Sequence, residues 1–139
     1  LVMQNAPDML LNFLLRLSDN HIVILLIFNV LLFITGMFMD DTSGLILAGV
    51  IYLPAARAFG IDPIHFGAIC AVNLGMGLIT PPVAPLLYMG GVIGKVEIRE
   101  YYKPVIYSIL FGYFPVLAIT TYIPAVSLTL PHLLMKLMS

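Results

Sequence analysis

Charge is what this chain has least of. Six basic and seven acidic residues make up 9% of 139, where soluble domains carry about 25%. So few charges cannot cover a globule of this length, which excludes an ordinary soluble domain. A formal net charge of −1 leaves no basic face for nucleic acid. There is no tryptophan and a single cysteine, Cys70, inside an apolar run. An internal disulfide and a cysteine metal centre are both excluded, and Cys70 reads as a small core residue. What is present is apolar: 61% hydrophobic residues and a mean hydropathy of +1.08. The class is an all-α integral membrane protein. The chain opens at Leu1 within an amphipathic stretch, with no basic n-region and no cleavage site. That opening reads as the interior of a longer chain and not as a signal peptide.

In residues 1–20, Met9, Leu10, Phe13, Leu14 and Leu17 recur at helical spacing opposite Asp8, Asn12, Arg16 and Asp19, with Pro7 and Asp8 as a helix start. This is a connecting or surface-lying amphipathic helix. Residues 21–39 are apolar and meet the polar string Asp40, Asp41, Thr42, Ser43, Gly44. Counted from the polar string to Pro54, which closes it, the second piece is about 13 residues, about 20 Å as a helix, too short for a core of about 30 Å. Either 21–39 spans and a re-entrant piece follows, or 21–56 is a re-entrant helical hairpin with its tip at 36–44. A polar tip at membrane depth is tolerated only where protein or a water-filled cavity receives it. Residues 55–63 form a turn.

Residues 64–94 are apolar throughout and, as one helix, would run about 46 Å. They carry GxGxxTPP from Gly75 to Pro82. Adjacent prolines remove two donors and push the residues before them out of helical geometry. The expected form is a discontinuous transmembrane helix, 64–79 and 83–94. Unwound carbonyls, the Thr80 hydroxyl and the close backbone approach permitted by Gly75 and Gly77 suit a small hard cation such as sodium. The alternative is a structural kink with Thr80 bonded back to its own helix. Asp40 and Asp41 are either site carboxylates or a cap, with Asp or Thr42 capping a helix at Ser43. Asn73, about two turns before Thr80, either lines the same cavity or bonds a neighbouring helix. His21, His65 and His132 border apolar runs and read as interfacial. No catalytic residue emerges: the two aspartates are adjacent, not on separate helices, and no H-E-x-x-H or serine–histidine pattern occurs. Residues 95–103 hold Lys95, Arg99 and Lys103, which puts that loop in the cytoplasm by the positive-inside rule. Residues 104–122 form a final span, with Pro115 kinking it, and 123–139 an interfacial tail.

Two stretches, GMFMDDTSGLILAGVIYLP and GIDPIHFGAICAVNLGMGLITPPVAPLLY, closely resemble the C-terminal third of the large membrane subunit of TRAP (tripartite ATP-independent periplasmic) transporters, over about residues 15–132. The resemblance implies one half of an inverted-repeat, elevator-type transporter of the bacterial inner membrane. It further implies sodium-coupled uptake of small organic anions, such as carboxylates or sialic acids. Its partners would be a periplasmic binding protein, a small membrane subunit and membrane lipids. By motif match, sodium would be held by Gly36, Gly77, Thr80 and Pro81. Asp40 falls at the family's hairpin-tip acid, and Asp40, Thr42 and Asn73 are the candidates for the substrate. One departure stands out: the family has Gly after Thr-Pro-Pro-Val, and this chain has Ala84 and then Pro85. Two rivals share much of the pattern, a divalent-anion sodium symporter working without a binding protein and a membrane scaffold that transports nothing.

Overall fold

The computed structural model describes residues 2–138, and every regular element among them is helical. The order is α1 (Val2–Leu17), α2 (His21–Phe38), α3 (Asp41–Leu47), a π-turn (Ala48–Tyr52), α4 (Leu53–Ala58), α5 (Pro63–Gly77), α6 (Pro85–Gly94), α7 (Ile98–Ser108), a second π-turn (Ile109–Tyr113), α8 (Phe114–Tyr122) and α9 (Pro124–Met138).

Local chemistry sets the ends. The Asn20 side chain accepts from the Ile22 amide and starts α2. Asp62 accepts from the amides of Ile64 (2.8 Å) and His65 (3.3 Å), with Pro63 opening α5 where its missing N–H costs nothing. Asp40 caps α3, which begins at Asp41 and not at the expected Ser43. Pro7 does not start α1 but lies inside it.

Two prolines behave differently from expectation, for one reason. Pro54 was expected to close the second apolar run, yet the helix continues to Ala58; Pro115 was expected to kink a span, yet that helix runs unbroken from Ile98 to Tyr122. Each is preceded by a π-turn: the Leu53 amide reaches back to the Ala48 carbonyl, and the Phe114 amide to the Ile109 carbonyl. The wider turn shifts the carbonyl register by one residue just where the proline ring would otherwise meet the carbonyl four residues earlier. The last helical stretch also starts earlier than expected, with Pro104 inside α7, and the tail is a helix, α9, with no buried residue.

The main core joins α1, α2, the α3–α4 arm and α5 through Leu14, Phe28, Leu32, Ala56, Ile69 and their neighbours. Phe28 and Phe66 meet edge to face, centroids 5.4 Å apart. A smaller cluster, Met76, Ile109 and Leu117, joins α5 to the second π-turn and α8. The helices α2 and α5 run side by side in the same direction, since Phe28 meets Phe66, Asn29 meets Asn73 and Gly36 meets Gly77. Their C-terminal ends therefore lie together. Beyond that point α6 packs on α7, with the Tyr101 hydroxyl donating to the Leu87 carbonyl at 2.9 Å. Because α5 lies along α8 and α6 along α7, the interruption between α5 and α6 sits beside the middle of the Ile98–Tyr122 helix, a rod of about 37 Å.

Candidate functional site

The site is a meeting of two helix ends. A Cβ built on Gly77 would lie 2.6 Å from the Gly36 Cα and 2.7 Å from its carbonyl oxygen. One built on Gly36 would lie 2.9 Å from the Leu74 Cα and 3.2 Å from the Asn73 carbonyl oxygen. These contacts are backbone on backbone, so no side-chain rotation relieves them. The two glycines are the reason the end of α2 can rest on the end of α5. Gly75, credited with the same role in the sequence, has nothing within 4 Å of its Cβ position. Gly44, at the start of the α3 arm, faces the Leu74 side chain instead.

On one side of this crossing is the turn between α2 and α3. Asp40 and Thr42 sit there, exposed. The Asp40 carboxylate accepts from the amides of Thr42 (3.0 Å) and Ser43 (3.2 Å). Asp40 is thus a cap at the tip of the arm. On the other side is the break. The first half-helix ends at Gly77 and the second starts at Pro85, slightly inside the expected 79 and 83. The Thr80 amide donates to the Gly77 carbonyl (3.0 Å), and the Leu86 amide reaches across the break to the Leu78 carbonyl (3.3 Å). The Thr80 hydroxyl donates to the Met76 carbonyl (2.8 Å), the back-bond named above as its alternative; the proton is committed and the oxygen lone pairs remain. Pro81 and Pro82 are joined by a cis peptide bond.

Ala84 gives a physical meaning to the departure from the family pattern. It is buried, with φ of 40° and ψ of 53°. That left-handed conformation suits glycine and costs an alanine about 1–2 kcal/mol. Lys95, which ends α6, is also left-handed, at φ 52°.

Gly36, Gly77, Thr80 and Pro81 are therefore drawn into one neighbourhood by the crossing and the four residues after it. Asn73 is elsewhere. It is fully buried, with its amide donating to Asn29 (2.7 Å) and to the Ile69 carbonyl (2.9 Å), one turn deeper in the bundle than Gly77. It lines, with Asn29, Phe33, Met76, Leu117 and Tyr122 among others, a largely apolar cavity of about 260 Å³ between α2, α5 and α8. His65, expected at an interface, is also buried, and its Nε2 bonds the Thr121 carbonyl at 3.1 Å. Asn29, His65 and Thr121 were not legible as a group, because residues 92 apart in the chain meet only through the fold.

Among the described residues every regular element is helical, two helices are long and apolar enough to cross a membrane, and one helix is broken where another helix end meets it; these are features of a membrane-embedded helical protein. The chain belongs to the family described as tripartite ATP-independent periplasmic transporter, DctM component, which matches residues 1–126. It is 43% identical over 93% of its length to an uncharacterized protein, YgiK, of Salmonella typhimurium, covering 29% of that protein. It is 36% identical over 94% of its length to the sialic acid TRAP transporter large permease protein SiaM of Vibrio cholerae, covering 30% of it. To the C4-dicarboxylate TRAP transporter large permease protein DctM of the same species it is 34% identical over 95% of its length, covering 29%. The chain thus spans under a third of these curated relatives. No solved structure matches it.

Proposed function

We propose that this chain forms the hairpin and broken helix of one repeat in the large permease of a sodium-coupled secondary transporter for small organic anions. The reading rests on one observation, the Gly36–Gly77 crossing that brings the tip of the α2–α3 arm against the broken end of α5. The break lies beside the middle of a helix long enough to span, which supports a re-entrant arm in 21–56 whose tip lies at half depth. The family, and relatives named for sialic acid and C4-dicarboxylate, support the anion class. In this reading sodium is cargo, held by carbonyl oxygens at Gly36, Gly77 and Pro81 and by the Thr80 oxygen. These are hard neutral donors suited to a small hard cation. Asp40 and Thr42 face the substrate path. Asn73 sits behind the site and does not touch the anion. The arm and broken helix move together as the mobile part of an elevator. A periplasmic binding protein delivers the anion, a small membrane subunit braces the permease in the inner membrane, and 95–103 faces the cytoplasm.

The test is sodium-driven accumulation by the assembled transporter in vesicles. Thr80→Ala removes one cation ligand and one back-bond. We expect the sodium concentration for half-maximal uptake to rise about tenfold, the worth of one good contact, with a thermal midpoint near that of the parent because back-bonds of this type contribute little. Unchanged sodium dependence in Thr80→Ala contradicts the site, and uptake that needs no binding protein favours the divalent-anion symporter reading.

A further inference from the structure

Away from the proposed ion site, three helices share one polar knot, half-buried at Asn29 and buried at Asn73 and Thr121. The Asn29 amide of α2 donates to the Leu25 carbonyl (2.8 Å) and to the Thr121 hydroxyl of α8 (3.1 Å). Its oxygen accepts from the Asn73 amide of α5 (2.7 Å) and from the Thr121 hydroxyl (3.2 Å). The Thr121 carbonyl in turn takes the Nε2 proton of His65, again from α5. Asn73 is fully buried and Thr121 nearly so. The knot and the glycine crossing belong to the same α2–α5 interface. Asn73 is one helical turn before Gly77, and its own backbone carbonyl lies 3.2 Å from the Cβ position of Gly36.

We infer that Asn29, Asn73 and Thr121, with His65 behind them, are positioning residues that fix the register in which Gly36 meets Gly77. This rests on the transport reading above. The glycines permit close approach but do not enforce it: flat, side-chain-free backbone can slide, and the apolar contacts around it tolerate small shifts. An amide pair does not. Any slip between α2 and α5 leaves buried donors and acceptors unpaired in an apolar interior, a penalty that apolar contacts never impose. Thr121 bonds the Asn29 side chain through its hydroxyl and His65 of α5 through its carbonyl, so α2, α5 and α8 carry one register among them. If the knot loosens, the fraction of molecules with the arm tip correctly set against the break falls. The apparent affinity for sodium then falls by that same fraction, while molecules that do load sodium turn over as before.

The test uses the assembled transporter in vesicles with a sodium titration of uptake. Thr121→Val keeps the volume and removes the hydroxyl; Thr121→Ser keeps the hydroxyl. For Thr121→Val we expect half-saturating sodium to rise about threefold to tenfold, the range set by interhelical hydrogen bonds in membranes, with the maximal rate within about twofold of the parent. Thr121→Ser should titrate like the parent, which a purely volumetric role for residue 121 would not require. Asn29→Ala removes the bonds to Thr121 and also the one from Asn73, and a rise at least as large is expected of it if Thr121→Val is not recovered folded. An unchanged sodium midpoint in a sodium-activated transporter overturns this inference alone, as does a fall in maximal rate with the midpoint unmoved. A parent transporter indifferent to sodium overturns the transport reading, and the inference with it.

Discussion

Gly77→Ala should disable this protein, whereas Gly75→Ala, two residues earlier in the same motif, should leave it as stable or make it more so. The added methyl at Gly77 would fall 2.6 Å from the Gly36 Cα and 2.7 Å from its carbonyl oxygen, both backbone atoms. Overpacking a core costs about 1–3 kcal/mol when side chains can give way, and here nothing can except the helices themselves. Separation of α2 from α5 would open the interface along its whole length. At Gly75 nothing lies within 4 Å, so alanine brings only its helix preference, about 0.5–1 kcal/mol in favour. Thermal unfolding of the purified permease carrying each change gives the comparison, with uptake as a second readout. Equal behaviour of the two variants would remove the crossing from the account. Gly44→Ala should be intermediate, because the methyl meets the end of the Leu74 side chain, which can rotate away.

Asn73→Asp should be the most damaging near-isosteric change in α5. The amide donates to two oxygens, those of Asn29 and the Ile69 backbone, from a position with no solvent exposure. A carboxylate there offers no donor and sets a negative charge against both oxygens. An aspartate at the centre of a membrane helix costs about 2.5–3.5 kcal/mol before any partner is lost, so a loss of about 3 kcal/mol or more is expected. The control is Asn12→Asp in α1, where the side chain is exposed and the change should be nearly neutral. Similar thermal midpoints for the two variants would mean that Asn73 is not buried in the assembled protein.

How much of this the sequence carried follows from the range of each interaction. The break was legible because prolines act on their own backbone, and length arithmetic required an interruption near residue 80. The residues at the crossing were legible as a motif, but the distinction between Gly75 and Gly77 was not: which glycine faces another helix depends on where that helix lies. The passage of helices through Pro54 and Pro115 escaped because a π-turn leaves no residue signature, and the rule that proline ends a helix assumes a uniform ladder upstream. The Asn29–Thr121 contact was out of reach of any local pattern. The same holds for His65, which beside a helix start reads as interfacial until a carbonyl from α8 is found against its ring.

The most direct test of the account concerns the depth of the arm tip. Asp41, beside the tip, and Ala58, at the far end of α4, are both exposed in this chain. In the assembled transporter, Asp41→Cys and Ala58→Cys can be labelled from the periplasm with an impermeant thiol reagent; Cys70 is buried and stays silent. With a tip held at half depth against the broken helix, Ala58→Cys reacts readily and Asp41→Cys reacts about tenfold more slowly or not at all, because only protein or a narrow cavity receives it. Equal, rapid labelling at both positions would put the tip at the surface and contradict the re-entrant arm.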